Sequence, residues 1–111
     1  MDVIINGKRY NTDTAEIVLS RSWHSYHPNQ GGGDPKLFHV RSIYRTKKGI
    51  LFAYQFDHVG YGRDRNGLNG LFIDEKEEIT PLSGDADAIA TCEHFGFSGE
   101  EVAKHFEVED A

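Results

Sequence analysis

Two neighbouring stretches of the chain alternate apolar and polar side chains. In the segment Leu37 to Tyr44, Phe38, Val40 and Tyr44 fall on one side, while His39 and Arg41, with Arg45 just beyond, fall on the other. In the next segment Ile50, Phe52, Tyr54 and Phe56 share a side. A period of two is that of a half-buried β-strand. The connection Thr46-Lys47-Lys48-Gly49 places glycine at the left-handed position of a short hairpin loop. An aromatic-rich hairpin at the centre of the chain demands a sheet with a covered face. Each large side chain buried there contributes about 1.5–3 kcal/mol before entropy is charged against it, so Phe52 is expected deep in the core.

The remaining elements follow from local chemistry. Val3-Ile4-Ile5, Asn6-Gly7 and Lys8-Arg9-Tyr10 read as a second hairpin, because Asn-Gly supplies the two positive φ angles of a type I′ turn. Ala15 to Ser20 has two readings: Asp13 and Glu16 have the spacing of a capping box, whereas Ile17-Val18 favours a strand. The strand is preferred. His24 to Pro35, with two prolines and Gly31-Gly32-Gly33, and Val59 to Gly70, with four glycines, read as loops. Leu71-Phe72-Ile73 reads as a short strand, Asp74 to Glu78 as a polar connection, and a further strand includes Ile79. Ser83 is placed to cap a helix running from Asp85 to Phe95 and stopped by Gly96, with early acids suiting the helix dipole. Ser98 and Glu101 have capping-box spacing for a last helix, with Val102 and Phe106 four apart on one face. The expected fold is α+β: one domain over 1–111, an antiparallel sheet of about five strands built from hairpins, then two short C-terminal helices.

A chain of 111 residues with 38% hydrophobic content is one folded domain, and no apolar run approaches the roughly 20 residues needed to span a bilayer. No repeat or low-complexity linker suggests a second unit. Met1 to Gly7 does not read as a secretory signal, and the single cysteine, Cys92, allows no internal disulfide, so a soluble, cytoplasmic protein is expected. Charge is divided along the chain. Residues 1–65 carry ten Lys or Arg against six Asp or Glu, net +4, and residues 66–111 carry two against twelve, net −10, which together make the overall −6. An acidic end of this kind is either a solvated face that keeps a small domain in solution or a surface that seeks a basic partner.

Catalytic and metal chemistry find little support. His24 and His27 have a chelating spacing, and Cys92 with His94 could complete a site, but the last two are two apart on a predicted helix and point about 200° away from each other. No nucleophile elbow, dinucleotide fingerprint or phosphate loop is present. The carboxylate pairs Asp74-Glu75 and Glu77-Glu78 are expected in solvent. No enzyme activity and no cofactor are expected. Direct nucleic-acid binding has more substance: Arg41, Arg45, Lys47 and Lys48 form a basic strand and hairpin tip, and Tyr61, Arg63 and Arg65 add a loop that can stack on bases.

The segments Ile5-Asn6-Gly7-Lys8-Arg9-Tyr10-Asn11-Thr12, Thr14-Ala15 and Tyr44-Arg45-Thr46-Lys47-Lys48-Gly49, with the Pro81-Leu82 entry to the helices, resemble a set of small phage and mobile-element proteins. These share an INGKRYDT-like start, a YRTKKG-like hairpin and an acidic helical end, and some are anti-CRISPR proteins. The resemblance covers about half the chain and implies a non-catalytic inhibitor in the bacterial host cytoplasm that occupies a basic nucleic-acid-binding surface of a CRISPR effector nuclease. The residues expected to meet such a partner are Glu93, Glu100, Glu101, Glu107, Glu109 and Asp110 as a phosphate-like surface, with Tyr61 and Arg63 as loop anchors. Two alternatives stand beside it: a nucleic-acid-binding or regulatory module using the basic central hairpin, and a small metal-dependent enzyme using His24, His27 and His39.

Overall fold

The computed structural model describes residues 1–26, 36–60 and 73–108. Strands β1 (Asp2–Ile5) and β2 (Lys8–Asn11) form a two-stranded hairpin. Strands β3 (Glu16–Tyr26), β4 (Lys36–Arg45), β5 (Leu51–Gly60) and β6 (Ile73–Pro81) form an antiparallel sheet in that order, followed by helices α1 (Asp85–Phe95) and α2 (Gly99–Ala103). The α+β class and the two C-terminal helices are as expected, with six strands among the described residues rather than about five.

Turn chemistry acts where the sequence places it. Asn6 and Gly7 adopt φ of 52° and 76°, the left-handed pair of a type I′ turn. Gly49 takes φ 85° and donates its amide to the Thr46 carbonyl at 2.8 Å, while the Thr46 hydroxyl accepts from the Ile50 amide at 3.1 Å. Ser98 caps α2 by accepting from the Glu101 amide at 3.2 Å. The cap of α1 differs from expectation. Gly84 occupies that position without a side-chain bond, and Ser83 instead donates its amide and hydroxyl to the Asp87 carboxylate.

Strand extents also differ. β3 continues through His24 to Tyr26, and β5 continues through Val59 to Gly60, so these five residues are strand where loop is expected. Ile73 and Ile79 belong to one strand, and Asp74 to Glu78 form its middle rather than a connection. The cause is cross-strand pairing. β4 and β5 pair over their full ten residues, and β6 extends that ladder from Gly60↔Ile73 to Phe52↔Pro81, which outweighs the poor strand propensity of Asp and Glu. Acidic side chains on this edge also discourage pairing with another chain. The parts of both expected loops at 27–35 and 61–70, and Leu71 and Phe72, lie outside the described residues.

Alternation gives the sheet two covered faces. Leu19, Ile43, Leu51 and Ala53 point to one, where they join Ala88, Cys92, Phe95, Phe97, Val102 and Phe106 from the helical layer. Tyr44 and Phe52 point to the other, where Tyr10 and Ile79 close a second cluster with Val3, Ile5 and Ile50 packed against it. The helices therefore cover one face, and the β1–β2 hairpin covers the opposite face near the β4–β5 turn. A bulge between Ile17 and Leu19 turns both Val18 and Leu19 inward and leaves Ile17 55% exposed. The buried Ser42 hydroxyl is matched to the Ser20 hydroxyl at 2.8 Å. Among the described residues, no helix is long and apolar enough to cross a membrane.

Gly96 ends α1 in the left-handed region, φ 82°, with its amide on the Cys92 and Glu93 carbonyls. A Cβ there would lie 2.6 Å from Nη1 of Arg21, a group already held by the Phe95 and Gly96 carbonyls at 3.1 and 2.9 Å. Gly96→Ala is therefore expected to cost about 1–3 kcal/mol, from left-handed strain and displacement of the Arg21 cap, measured as a lower urea midpoint.

Candidate binding surfaces

The acidic residues of the helical layer are presented from a fixed base. Ala88, Cys92 and Phe95 anchor α1 to the sheet, Val102 and Phe106 anchor α2 and the turn after it, and Glu93, Glu100, Glu101 and Glu107 are left exposed. None of these four carboxylates forms an ion pair among the described residues. The exposed acids of β6 are less free: Glu77 accepts a hydrogen bond from the Tyr54 hydroxyl at 2.8 Å, and Glu75 pairs with His58 at 3.1 Å. Burial first, and the Glu77 carboxylate second, push the Tyr54 hydroxyl far above the ordinary tyrosine range. Strand carboxylates expected in open solvent thus serve partly to clamp β6 onto β5. Of the remaining residues expected at the interface, Glu109, Asp110, Tyr61 and Arg63 lie outside the described residues.

A polar cluster continues the same sheet face beyond the helices. Trp23, His39 and Asp57 form one row across β3, β4 and β5, and Arg21, Arg41 and Gln55 form the next. His39 stacks on Trp23 with centroids 4.9 Å apart and planes inclined by 29°. The guanidinium carbons of Arg21 and Arg41 lie 4.5 and 5.5 Å from the Trp23 ring centroid, within cation–π range. One oxygen of Asp57 meets His39 Nδ1 at 2.7 Å and Arg41 Nη2 at 2.9 Å. Arg21 joins this cluster to the helical layer through its two carbonyl acceptors at the end of α1. The alternation Arg21-x-Trp23 and His39-x-Arg41 is the sequence trace of the cluster, but its assembly depends on a register across three strands that local patterns do not reveal.

Burial would raise the Asp57 carboxyl, but the His39 and Arg41 hydrogen bonds and the charge of Arg41 outweigh it and hold it below its usual 3.8. A depressed carboxylate contributes stability that is present above its unfolded value and lost as pH falls through its folded one. Asp57→Asn is expected to cost about 1–2 kcal/mol at pH 7, toward the lower part of the range for bonds to charged groups because a third of the side chain meets solvent. Urea midpoints taken at successively lower pH should show wild type and variant converging below pH 3.8.

The alternative chemistries fare differently. His24 contacts Phe38 at 4.9 Å and occupies a position of β3 opposite in sense to Trp23, so it and His39 lie on opposite faces of the sheet. They do not converge on one metal, and His27 lies outside the described residues. No group of three or more His, Cys, Asp or Glu placed to hold a metal occurs among the described residues. Cys92 is fully buried and burial raises its thiol, while His94 is exposed. Arg41, expected on a nucleic-acid-binding strand, is committed to Asp57, the Val40 carbonyl and Trp23, with only 16% of its side chain exposed. Against known proteins, the chain matches no family model, no curated protein and no solved structure.

Proposed function

We propose that this chain is a non-catalytic binding protein, encoded on a mobile element, whose acidic helical layer occupies a basic nucleic-acid-binding surface of a partner protein. The resemblance of its two hairpin motifs to those of small mobile-element proteins indicates a CRISPR effector nuclease as the class of partner. The observation that carries the reading is the set Glu93, Glu100, Glu101 and Glu107, exposed on α1, on α2 and beside Phe106 after it, where buried side chains of the same segments are anchored in the core. Carboxylates held this way need little ordering on binding, so their attraction to a basic groove is not spent on fixing the backbone. The polar cluster supports the same surface, since Arg21 ties the end of α1 to the sheet. Titrating the full chain into cleavage reactions of purified effector nucleases of different types tests the proposal. Inhibition of one of them at near-stoichiometric concentration is expected, and unimpaired cleavage across all of them would contradict the effector as partner.

A further inference from the structure

On the sheet face opposite the helices, a groove of about 590 Å³ runs between the β1–β2 hairpin and the β4–β5 turn. Its lining is at odds with the chain's overall charge. Lys8, Arg9, Lys47 and Lys48 border it and, among the described residues, no acidic one does, although the protein as a whole is at −6. Arg9 is engaged with Asp2 through bonds of 2.9 and 2.6 Å, while Lys8, Lys47 and Lys48 are exposed and form no ion pair among the described residues. Part of the lining is apolar, with Tyr10, Ala15 and Ile50 contributing. Those residues belong to the cluster that packs the hairpin on the sheet, so the same core contacts that hold the hairpin in place set the groove walls.

Three exposed lysines that pair with no carboxylate among the described residues, set beside an apolar wall, suit a ligand that carries several negative charges at one end and a flat, weakly polar body at the other. We propose that this groove binds a nucleoside phosphate, free or at the 5′ end of a strand. Phosphate oxygens meet Lys8, Lys47 and Lys48, and the nucleoside lies against Tyr10, Ala15 and Ile50. The groove and the acidic helical layer are on opposite faces of the sheet, so the two surfaces can be occupied together.

Calorimetric titration of the full chain with ATP, inorganic triphosphate, adenosine and a 5′-phosphorylated oligonucleotide tests the inference. ATP or the oligonucleotide is expected to bind at least tenfold more tightly than inorganic triphosphate or adenosine, and to weaken as salt is raised. Stronger binding of ATP identifies the free nucleotide, and stronger binding of the oligonucleotide identifies the strand end. The variant Lys8→Glu/Lys47→Glu/Lys48→Glu, whose substitutions are all at exposed positions, should keep the wild-type melting temperature and lose more than tenfold in affinity. The inference is overturned if neither nucleoside phosphate binds, if inorganic triphosphate binds as well as they do, or if affinity survives in a folded triple variant. A triple variant that fails to fold is replaced by Lys47→Glu/Lys48→Glu at the turn alone, read against the same outcomes.

Discussion

Phe52→Ala is expected to lower the thermal midpoint by about 12–20 °C. The ring is fully buried, packs edge-on to Tyr10 with centroids 5.4 Å apart, and stacks on Tyr44 at 5.2 Å with planes inclined by 7°. Removing a buried phenyl group costs about 3–5 kcal/mol, of which the aromatic pairs account for about 0.5–1.5 kcal/mol each. A domain of this size shifts by roughly 4 °C for each kcal/mol. The loss is a large share of the 5–15 kcal/mol typical of whole domains. Its location matters as much as its size. Phe52 joins the first hairpin to the sheet, so the variant should also loosen β1 and β2, seen as faster amide exchange at Val3 and Tyr10 than in helix α1. Calorimetry on wild type, Phe52→Leu and Phe52→Ala should rank them in that order of decreasing stability.

Simultaneous Glu93→Lys, Glu100→Lys, Glu101→Lys and Glu107→Lys is expected to weaken partner binding by at least about a hundredfold while leaving the far-UV circular dichroism spectrum unchanged. Each residue is exposed and unpaired among the described residues, so replacing it removes no ion pair among them. Each reversal also turns an attraction toward a basic groove into a repulsion. Individual exposed charge pairs are weak, and four acting together reach the stated factor. The association rate should carry much of the loss, and the gap between variant and wild type should narrow at high salt as the charges are screened.

The turns, the stop of α1 and the cap of α2 were legible in the sequence because their causes are local. Asn6-Gly7, Gly49 and Gly96 occupy left-handed backbone positions that few other residues accept, and Ser98 caps through an amide three residues away. Strand length was not legible, since Asp74 to Glu78 are strand residues only through the partners that β5 offers. The cap of α1 was not legible because Ser83 has a competing acceptor: its amide and hydroxyl donate to the Asp87 carboxylate, and Gly84 takes the cap position. The Trp23, His39 and Asp57 row was hidden for a related reason. Its members lie 16 and 18 residues apart, and only the paired registers of three strands bring them together. The acidic polarity was legible as composition, but composition could not separate Glu75 and Glu77, which are engaged with β5, from Glu93, Glu100, Glu101 and Glu107, which are not.

Under the proposed function, the acidic helical layer and a nucleic-acid strand compete for one basic surface. The most direct measurement of this competition is the concentration of this protein that half-inhibits a susceptible effector nuclease, determined over a range of concentrations of the nucleic acid that the effector binds. Competition predicts a half-inhibitory concentration that rises in proportion to nucleic acid, with the fourfold Lys variant ineffective throughout. A half-inhibitory concentration independent of nucleic acid, or a fourfold variant as potent as wild type, would contradict it.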